Sequence, residues 1–273
     1  MPFLEYLPLS LQPELRKAQS IRARDLAIQR AFLNTLRSQI KAGNPPVCAG
    51  TTFLEMQEHE GIPDDHACDM MTMLIQGGSE TTSNYLQYFF KILAMFPDVV
   101  VKAQQELDAV VGKERLPEFS DWSQLPYIRA VIKEVHRWAA QGALSVPHVN
   151  TTADDDFHGY EIPKGTVIYP AMLVLNYSES RYGANAAEFM PERFVKDELP
   201  ARASAMQGDI MQRDHWGYGF GRRLCPGIDV AEPQLFIFAS RALWAFDMKA
   251  TPGQKLDLND RVGAYLLMRR SII

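Results

Sequence analysis

The chain has 273 residues, 47% of them hydrophobic and 22% charged, and a formal net charge of −5. That composition is globular with ample material for a core, and its acidic balance argues against a nucleic-acid partner. Three cysteines (Cys48, Cys68 and Cys225) without CxxC spacing argue against a disulfide framework or a zinc site and suit a reducing compartment.

No run of ~20 apolar residues occurs, so no membrane-spanning helix is expected. The start, Met1-Pro2-Phe3-Leu4-Glu5, lacks the regions of a signal peptide. From Pro13 to about Lys41, Leu15, Ala18, Ile21, Leu26, Ile28, Phe32, Leu36 and Ile40 recur at helical spacing, predicting one or two amphipathic helices with a basic outer face. Ala42-Gly43-Asn44-Pro45-Pro46 stops them. A short helix and loops fill the stretch to Gly61. A segment over 63–96 then runs without proline, opened by Asp64 and Asp65, which suit a helix N-terminus. If continuous, it is on the order of 50 Å long and must cross a domain. In its middle lie Gly77-Gly78-Ser79-Glu80-Thr81-Thr82. Two glycines inside a helix cost about 1 kcal/mol each. Either a planar ligand approaches a locally opened helix there, with Glu80 and Thr81 beside it, or the segment breaks into two helices with Ser79 or Thr81 as N-cap.

A helix from Pro97 to about Val111 follows, ended by Gly112, then a turn at Ser120-Asp121-Trp122 and a helix over 125–138. The last carries Glu134-Val135-His136-Arg137, with Glu134 and Arg137 on one face. The period then becomes strand-like over 144–169: Val146–Val149 and Phe157–Ile168 read as short strands, with turns at Asp154-Asp155-Asp156 and Pro163-Lys164-Gly165. Residues 195–214 read as an exposed polar meander. Over 216–246 a glycine-rich loop precedes an apolar helix, Ile228 to Phe246, blemished by Pro233. The tail reads as a strand pair, Leu256–Leu258 with Ala264–Met268.

The loop Tyr218-Gly219-Phe220-Gly221-Arg222-Arg223-Leu224-Cys225-Pro226-Gly227 carries the chemistry. Its glycines let backbone approach something flat and bulky. Its arginines offer forked donors to carboxylates. A cysteine followed by proline at a helix start sits near the positive end of a helix dipole, a setting that favours thiolate. This is what a thiolate ligand of haem iron requires. Gly217, Gly219 and Gly221 do not make a dinucleotide loop, because no strand precedes them and the GxGxxG spacing fails.

The loop resembles the haem-binding loop of the cytochrome P-450 monooxygenases, F-x-x-G-x-R-x-C-x-G, with Gly221, Arg223, Cys225 and Gly227 in register and Tyr218 in place of the usual Phe. Its extra hydroxyl near the sulfur is a possible lever on the redox potential. Gly77 to Thr82 resembles the family's [AG]-G-x-[DE]-T-[TS] helix, Glu134/Arg137 its ExxR, and Pro191-Glu192-Arg193-Phe194 its later PERF segment. The resemblance spans the whole chain, and the wording is closest to fungal secondary-metabolism members. Tyr169 to Glu179 departs from it, lacking the Trp and His-Asp-Pro group that relatives often carry there.

The resemblance implies a mainly α fold with a small β component, the C-terminal part of the P-450 fold. It implies haem (heme b) ligated by Cys225, with Gly77 and Gly78 against it, proton delivery to dioxygen by Glu80 and Thr81, and a propionate contact from His148. Residues 144–149 line the substrate side. Glu134, Arg137 and Arg193 form a structural ion network and take no part in the chemistry. One oxygen atom enters a small apolar substrate, with electrons from an NADPH-cytochrome P-450 reductase docking near Arg222, Arg213 and Lys133. NADPH acts only through that partner. Relatives are anchored in the endoplasmic-reticulum membrane and face the cytoplasm. This chain begins where they are about half-way through, so an N-terminally truncated member without anchor or early helices is expected. The alternative is an inactive remnant, a haem- or partner-binding half-domain.

Overall fold

The computed structural model describes residues 11–139, 144–151, 154–250 and the backbone of 265–269, with Tyr6, Pro8, Gly253 and Leu256 besides. The chain forms two compact units, Met1–Glu80 and Thr81–Ile273.

The first unit holds α1 (Pro13–Lys41), α2 (Ala49–Glu60) and the first part of α3 (Asp64–Met95). α1 is one unbroken helix. It buries Leu33 against Phe53, Leu54, Ala67 and Cys68, a small core. The basic face read from the sequence has specific acidic partners: Arg22 meets Asp69 at 2.8 Å, Arg30 pairs with Asp65, and Arg37 meets Asp64 at 2.6 Å. α3 is helical throughout. Gly77 and Gly78 neither open nor break it, so both sequence expectations for that stretch are corrected. A continuous backbone ladder tolerates two glycines when the flanking residues hold the helix.

The second unit holds the end of α3, then α4 (Pro97–Val110), a 3-10 turn at Phe119–Gln124, and α5 (Pro126–Trp138). The strands β1 (His148–Val149), β2 (Asp155–Phe157), β3 (Tyr160–Ile162) and β4 (Val167–Ile168) follow, then the short helices α6 (Met172–Asn176), α7 (Glu179–Tyr182) and α8 (Ala201–Ala205). α9 (Ile228–Ala245), β5 (Phe246–Ala250) and β6 (Tyr265–Arg269) complete it. β1 pairs with β4, β2 with β3 and β5 with β6, all antiparallel.

The core is the packing of α4, α5, α9 and the end of α3. Phe89, Ile92 and Leu93 of α3 meet Val100, Ala103 and Leu107 of α4, Ile128, Val131 and Val135 of α5, and Phe236, Ala239 and Leu243 of α9. α5 is its centre, with every residue from Tyr127 to Arg137 buried. No side chain caps its N-terminus locally. Instead Glu106 of α4 accepts the Tyr127 N–H at 2.8 Å and the Ile128 N–H at 3.0 Å. In the same way Gln104 donates to the carbonyls of Leu243 and Phe246, each at 3.2 Å, and ties α4 to the end of α9.

Further expectations are corrected or refined. Asp155 and Asp156 lie in β2, and the turn falls at His158 (φ 53°) and Gly159 (φ 83°). Two consecutive positive φ values make the tight hairpin turn that strand twist favours. Most of residues 195–214 are exposed, as expected, but α8 forms within them and buries Ala201, Ser204 and Ala205, and Asp214 is buried too. α9 passes through Pro233, which sits in its second turn and deprives the Asp229 carbonyl of its usual partner. It stops at Ala245, because Phe246 is already in β5. β6 pairs with β5, and of its expected partner Leu256–Leu258, Asp257 and Leu258 lie outside the described residues.

Candidate functional site

The loop after α8 turns on two glycines. Gly219 (φ 74°) and Gly221 (φ 63°) occupy the left-handed region that side chains resist. Gly219 N–H donates to the Trp216 carbonyl at 2.9 Å, and Cys225 N–H to the Tyr218 carbonyl at 2.9 Å. The turn therefore closes on itself and presents Cys225 at its end. Cys225 is half-buried. α9 begins at Ile228 with Gly227 as its N-cap, so Cys225 and Pro226 lie just ahead of the helix, not at its first position. A Cβ at Gly227 would sit 3.9 Å from Cys225 Sγ, an ordinary contact, and one at Gly221 would meet open space.

Arg223 is exposed, and no ion pair of its guanidinium is found among the described residues. The His148 ring lies nearly parallel to Phe220 of the loop, with centroids 6.3 Å apart, and its Nδ1 is 2.9 Å from the Val146 carbonyl. A soft sulfur on a turn with open space beside Gly221, flanked by an unengaged guanidinium and a half-engaged imidazole, is a donor set that suits a flat, anionic iron macrocycle.

The Tyr218 hydroxyl has a partner of its own: it lies 3.2 Å from His136 Nε2. That corrects the expectation of a hydroxyl directed at the sulfur. Burial raises the phenol well above its ordinary range.

Behind the loop, Glu134 and Arg137 are fully buried on α5. Arg137 grips Glu134 with two bonds of 2.7 Å, Nε to Oε2 and Nη2 to Oε1. Its remaining donors reach the carbonyls of Asn176 (2.8 Å), Ala186 (2.7 Å) and Glu188 (2.8 Å). Arg193 Nε adds a 3.2 Å contact to Glu134 Oε1, and its Nη atoms donate to the Tyr182 and Asn185 carbonyls at 2.9 Å. One carboxylate thus organises the chain from α6 to Arg193. Asn176, in the stretch that departs from the family pattern, extends this to the loop: its Oδ1 accepts the Trp216 N–H at 3.2 Å. No sequence signal marked it, nor His136 and His215.

Gly77, Gly78 and Glu80 fall at the end of the first unit, and Thr81 opens the second. All four are exposed, and a Cβ at either glycine would meet nothing within 4 Å. Of the expected docking residues, Lys133 is withdrawn: it is buried, with Nζ 2.8 Å from the Leu199 carbonyl, 3.0 Å from Asp197 and 3.3 Å from Asp214. Arg213 is half-engaged, donating to the Gln207 carbonyl and lying over Trp216. Arg222 is exposed.

A separate apolar hollow of about 860 Å³ lies in the second unit, lined by Leu86 and Phe90 of α3 and by Pro233, Ile237, Phe238 and Ala245 of α9, among others. None of the site residues lines it. Among the described residues no helix is long and apolar enough to cross a membrane.

Comparison with known proteins gives these features a family. The chain matches the Cytochrome P450 family model over residues 1–272. It is 49% identical to Cytochrome P450 monooxygenase polD of Polytolypa hystricis over 96% of this chain and 50% of that protein. To Cytochrome P450 monooxygenase virE of Hypocrea virens it is 38% identical over 91% of this chain and 44% of that protein. A zebra fish cytochrome P450 solved with progesterone superposes with a TM-score of 0.77 and 26% identity, covering 94% of this chain and 58% of that one. The chain spans about half the length of the curated relatives it matches. Mainly helical, with small two-stranded sheets and a cysteine turn ahead of α9, the chain belongs to the cytochrome P450 family.

Proposed function

We propose that this chain carries the thiolate side of a haem monooxygenase acting on an apolar organic substrate in fungal secondary metabolism. The observation that carries the reading is half-buried Cys225, presented by a self-closed glycine turn at the foot of α9. The fungal relatives polD and virE support the setting, and the progesterone held by the zebra fish relative supports an apolar substrate.

In this reading Cys225 ligates the iron, and Arg223 and His148 hold carboxylate substituents of the macrocycle by charge and hydrogen bonding. The thiolate-held haem supplies dioxygen activation and insertion of one oxygen atom into the substrate. Glu80 and Thr81, neighbours on α3, hold and pass protons there. Gly77 and Gly78 leave backbone bare beside them. Glu134, Arg137 and Arg193 fix the frame behind the loop. Electrons come from an NADPH-dependent reductase, with exposed Arg222 as a contact for an acidic partner surface.

The test is spectroscopic. The full chain, produced with haem available, is reduced under carbon monoxide and its Soret band recorded. A thiolate-type band that disappears in Cys225→Ala is the expected result. No haem uptake, or an imidazole-type band, would overturn the reading and leave a family member without monooxygenase activity.

A further inference from the structure

Beneath the Cys225 turn lies a buried ring cluster that no motif marks. His136 of α5 and His215 of the loop stack with centroids 4.6 Å apart and planes 14° from parallel. Both are buried. His215 Nδ1 accepts the Gly217 N–H at 3.0 Å. His136 Nε2 meets the Tyr218 hydroxyl at 3.2 Å, and the Tyr218 carbonyl holds the Cys225 N–H at 2.9 Å. On the other side the Tyr85 ring lies 4.4 Å from His136, and its hydroxyl donates to the Ile132 carbonyl at 3.1 Å. A Cβ at Gly217 would come within 3.1 Å of His215 Nδ1 and 3.2 Å of His136 Nδ1, so loop backbone and rings are in close contact. Desolvation, then the neighbouring imidazole, holds His136 well below the usual histidine range, and desolvation, then Lys133, takes His215 down to about 3. Both rings are therefore neutral at neutral pH, and each offers one acceptor nitrogen.

Tyr218 thus has two attachments with different reach. Its carbonyl fixes the cysteine. Its hydroxyl fixes Tyr218 itself to α5, the helix that also carries Glu134 and Arg137. A phenylalanine in its place would fill the same space without the second attachment.

We propose that His136, acting through the Tyr218 hydroxyl, is a positioning residue for Cys225, anchoring the residue whose carbonyl holds the cysteine amide. The proposal rests on the reading of Cys225 as the iron ligand, and its test separates the two.

Amide hydrogen exchange is measured on the full chain at Gly217 and Cys225, with Phe236 and Leu243 of α9 as core references. Tyr218→Phe and His136→Leu are each expected to speed exchange at Cys225 by about five- to tenfold, the worth of one hydrogen bond, with the references unchanged. The double variant should be no faster than either single, since both remove the same bond. His136→Gln, whose amide still reaches the hydroxyl, should keep the wild-type rate. In the haem-loaded chain the thiolate-type share of the reduced carbonyl spectrum should fall in Tyr218→Phe and His136→Leu and stay at the wild-type level in His136→Gln. Unchanged Cys225 exchange in Tyr218→Phe, additive effects in the double variant, or equal acceleration of the core amides would each overturn the proposal. If the exchange pattern is as expected but the wild-type chain shows no thiolate-type band, the anchor stands and the iron-ligand reading falls.

Discussion

Replacing Glu134 by leucine tests the buried network at its one negative charge. Glu134 Oε1 accepts from Arg137 Nη2 and the Met190 N–H, each at 2.7 Å, and from Arg193 Nε at 3.2 Å, while Oε2 accepts Arg137 Nε at 2.7 Å. Leucine fills similar space and takes none of these. Arg137 keeps its three carbonyl acceptors but loses its counter-charge in a fully buried position. Breaking a buried pair from one side costs about 3–5 kcal/mol, and the orphaned Met190 N–H adds about 1 kcal/mol. A domain's whole stability is about 5–15 kcal/mol, so Glu134→Leu should remove about a quarter of it or more. All four tryptophans lie in the second unit, so their fluorescence follows that unit alone in urea. With a slope of about 3 kcal/mol per molar, the midpoint should fall by about 1–2 M. Arg193→Leu should cost less, about 1–2 kcal/mol, because Glu134 remains gripped by Arg137. A midpoint for Glu134→Leu within about 0.3 M of wild type, or a larger loss in Arg193→Leu, would refute the argument.

Further outcomes follow from other buried groups. His136 and His215 have folded-state values depressed below the unfolded value of 6.5, His215 to about 3. The unfolded chain binds their protons first, so stability is fully present above pH 6.5 and is lost as pH falls toward the folded values. Between pH 7 and 5 His215 should contribute a loss of about 2 kcal/mol and His136 a further loss of the same sign, read as a steeper midpoint drop in wild type than in a His136→Gln/His215→Gln chain; parallel profiles would sink this account. Lys133→Met should destabilise by about 3 kcal/mol, because Asp214 is left buried and uncompensated beside His215. Arg222→Met, at an exposed position, should stay within about 0.5 kcal/mol of wild type in the same melt.

How much of this was legible in the sequence depended on whether a residue's partner lay on its own element. The spacing of Glu134 and Arg137 placed both on one face, because helical geometry alone fixes that relation, while the unbroken course of Asp64 to Met95 through Gly77 and Gly78 was not legible from the glycines themselves. Lys133 was misjudged because a helix buried on every side has no outer face. Asp197 and Asp214 come from a segment whose polar composition reads as exposed, and they turn that composition inward to meet the lysine. His136 and His215 are each unremarkable in their local sequence, and only the packing of the loop on α5 makes them a pair. The partner of β6 was missed for a similar reason: β5 follows α9 without a turn signal, so its apolar start reads as the helix's last turn.

The start of α5 has a bearing on how the chain folds. A helix of 13 residues is marginal by itself, and its first two free amides find their acceptor on Glu106, about one loop and a 3-10 turn earlier in the chain. The N-terminus of α5 is therefore completed by α4, not by its own flanking residues. Glu134 and Arg137 are three residues apart, while the bonds of Arg137 to Asn176, Ala186 and Glu188 reach chain some forty to fifty residues further on. The α4–α5 contacts are thus local in the chain while the frame that holds the cysteine loop is long-range, and a lesion at Glu106 is expected to show in refolding rate, measured by stopped-flow tryptophan fluorescence.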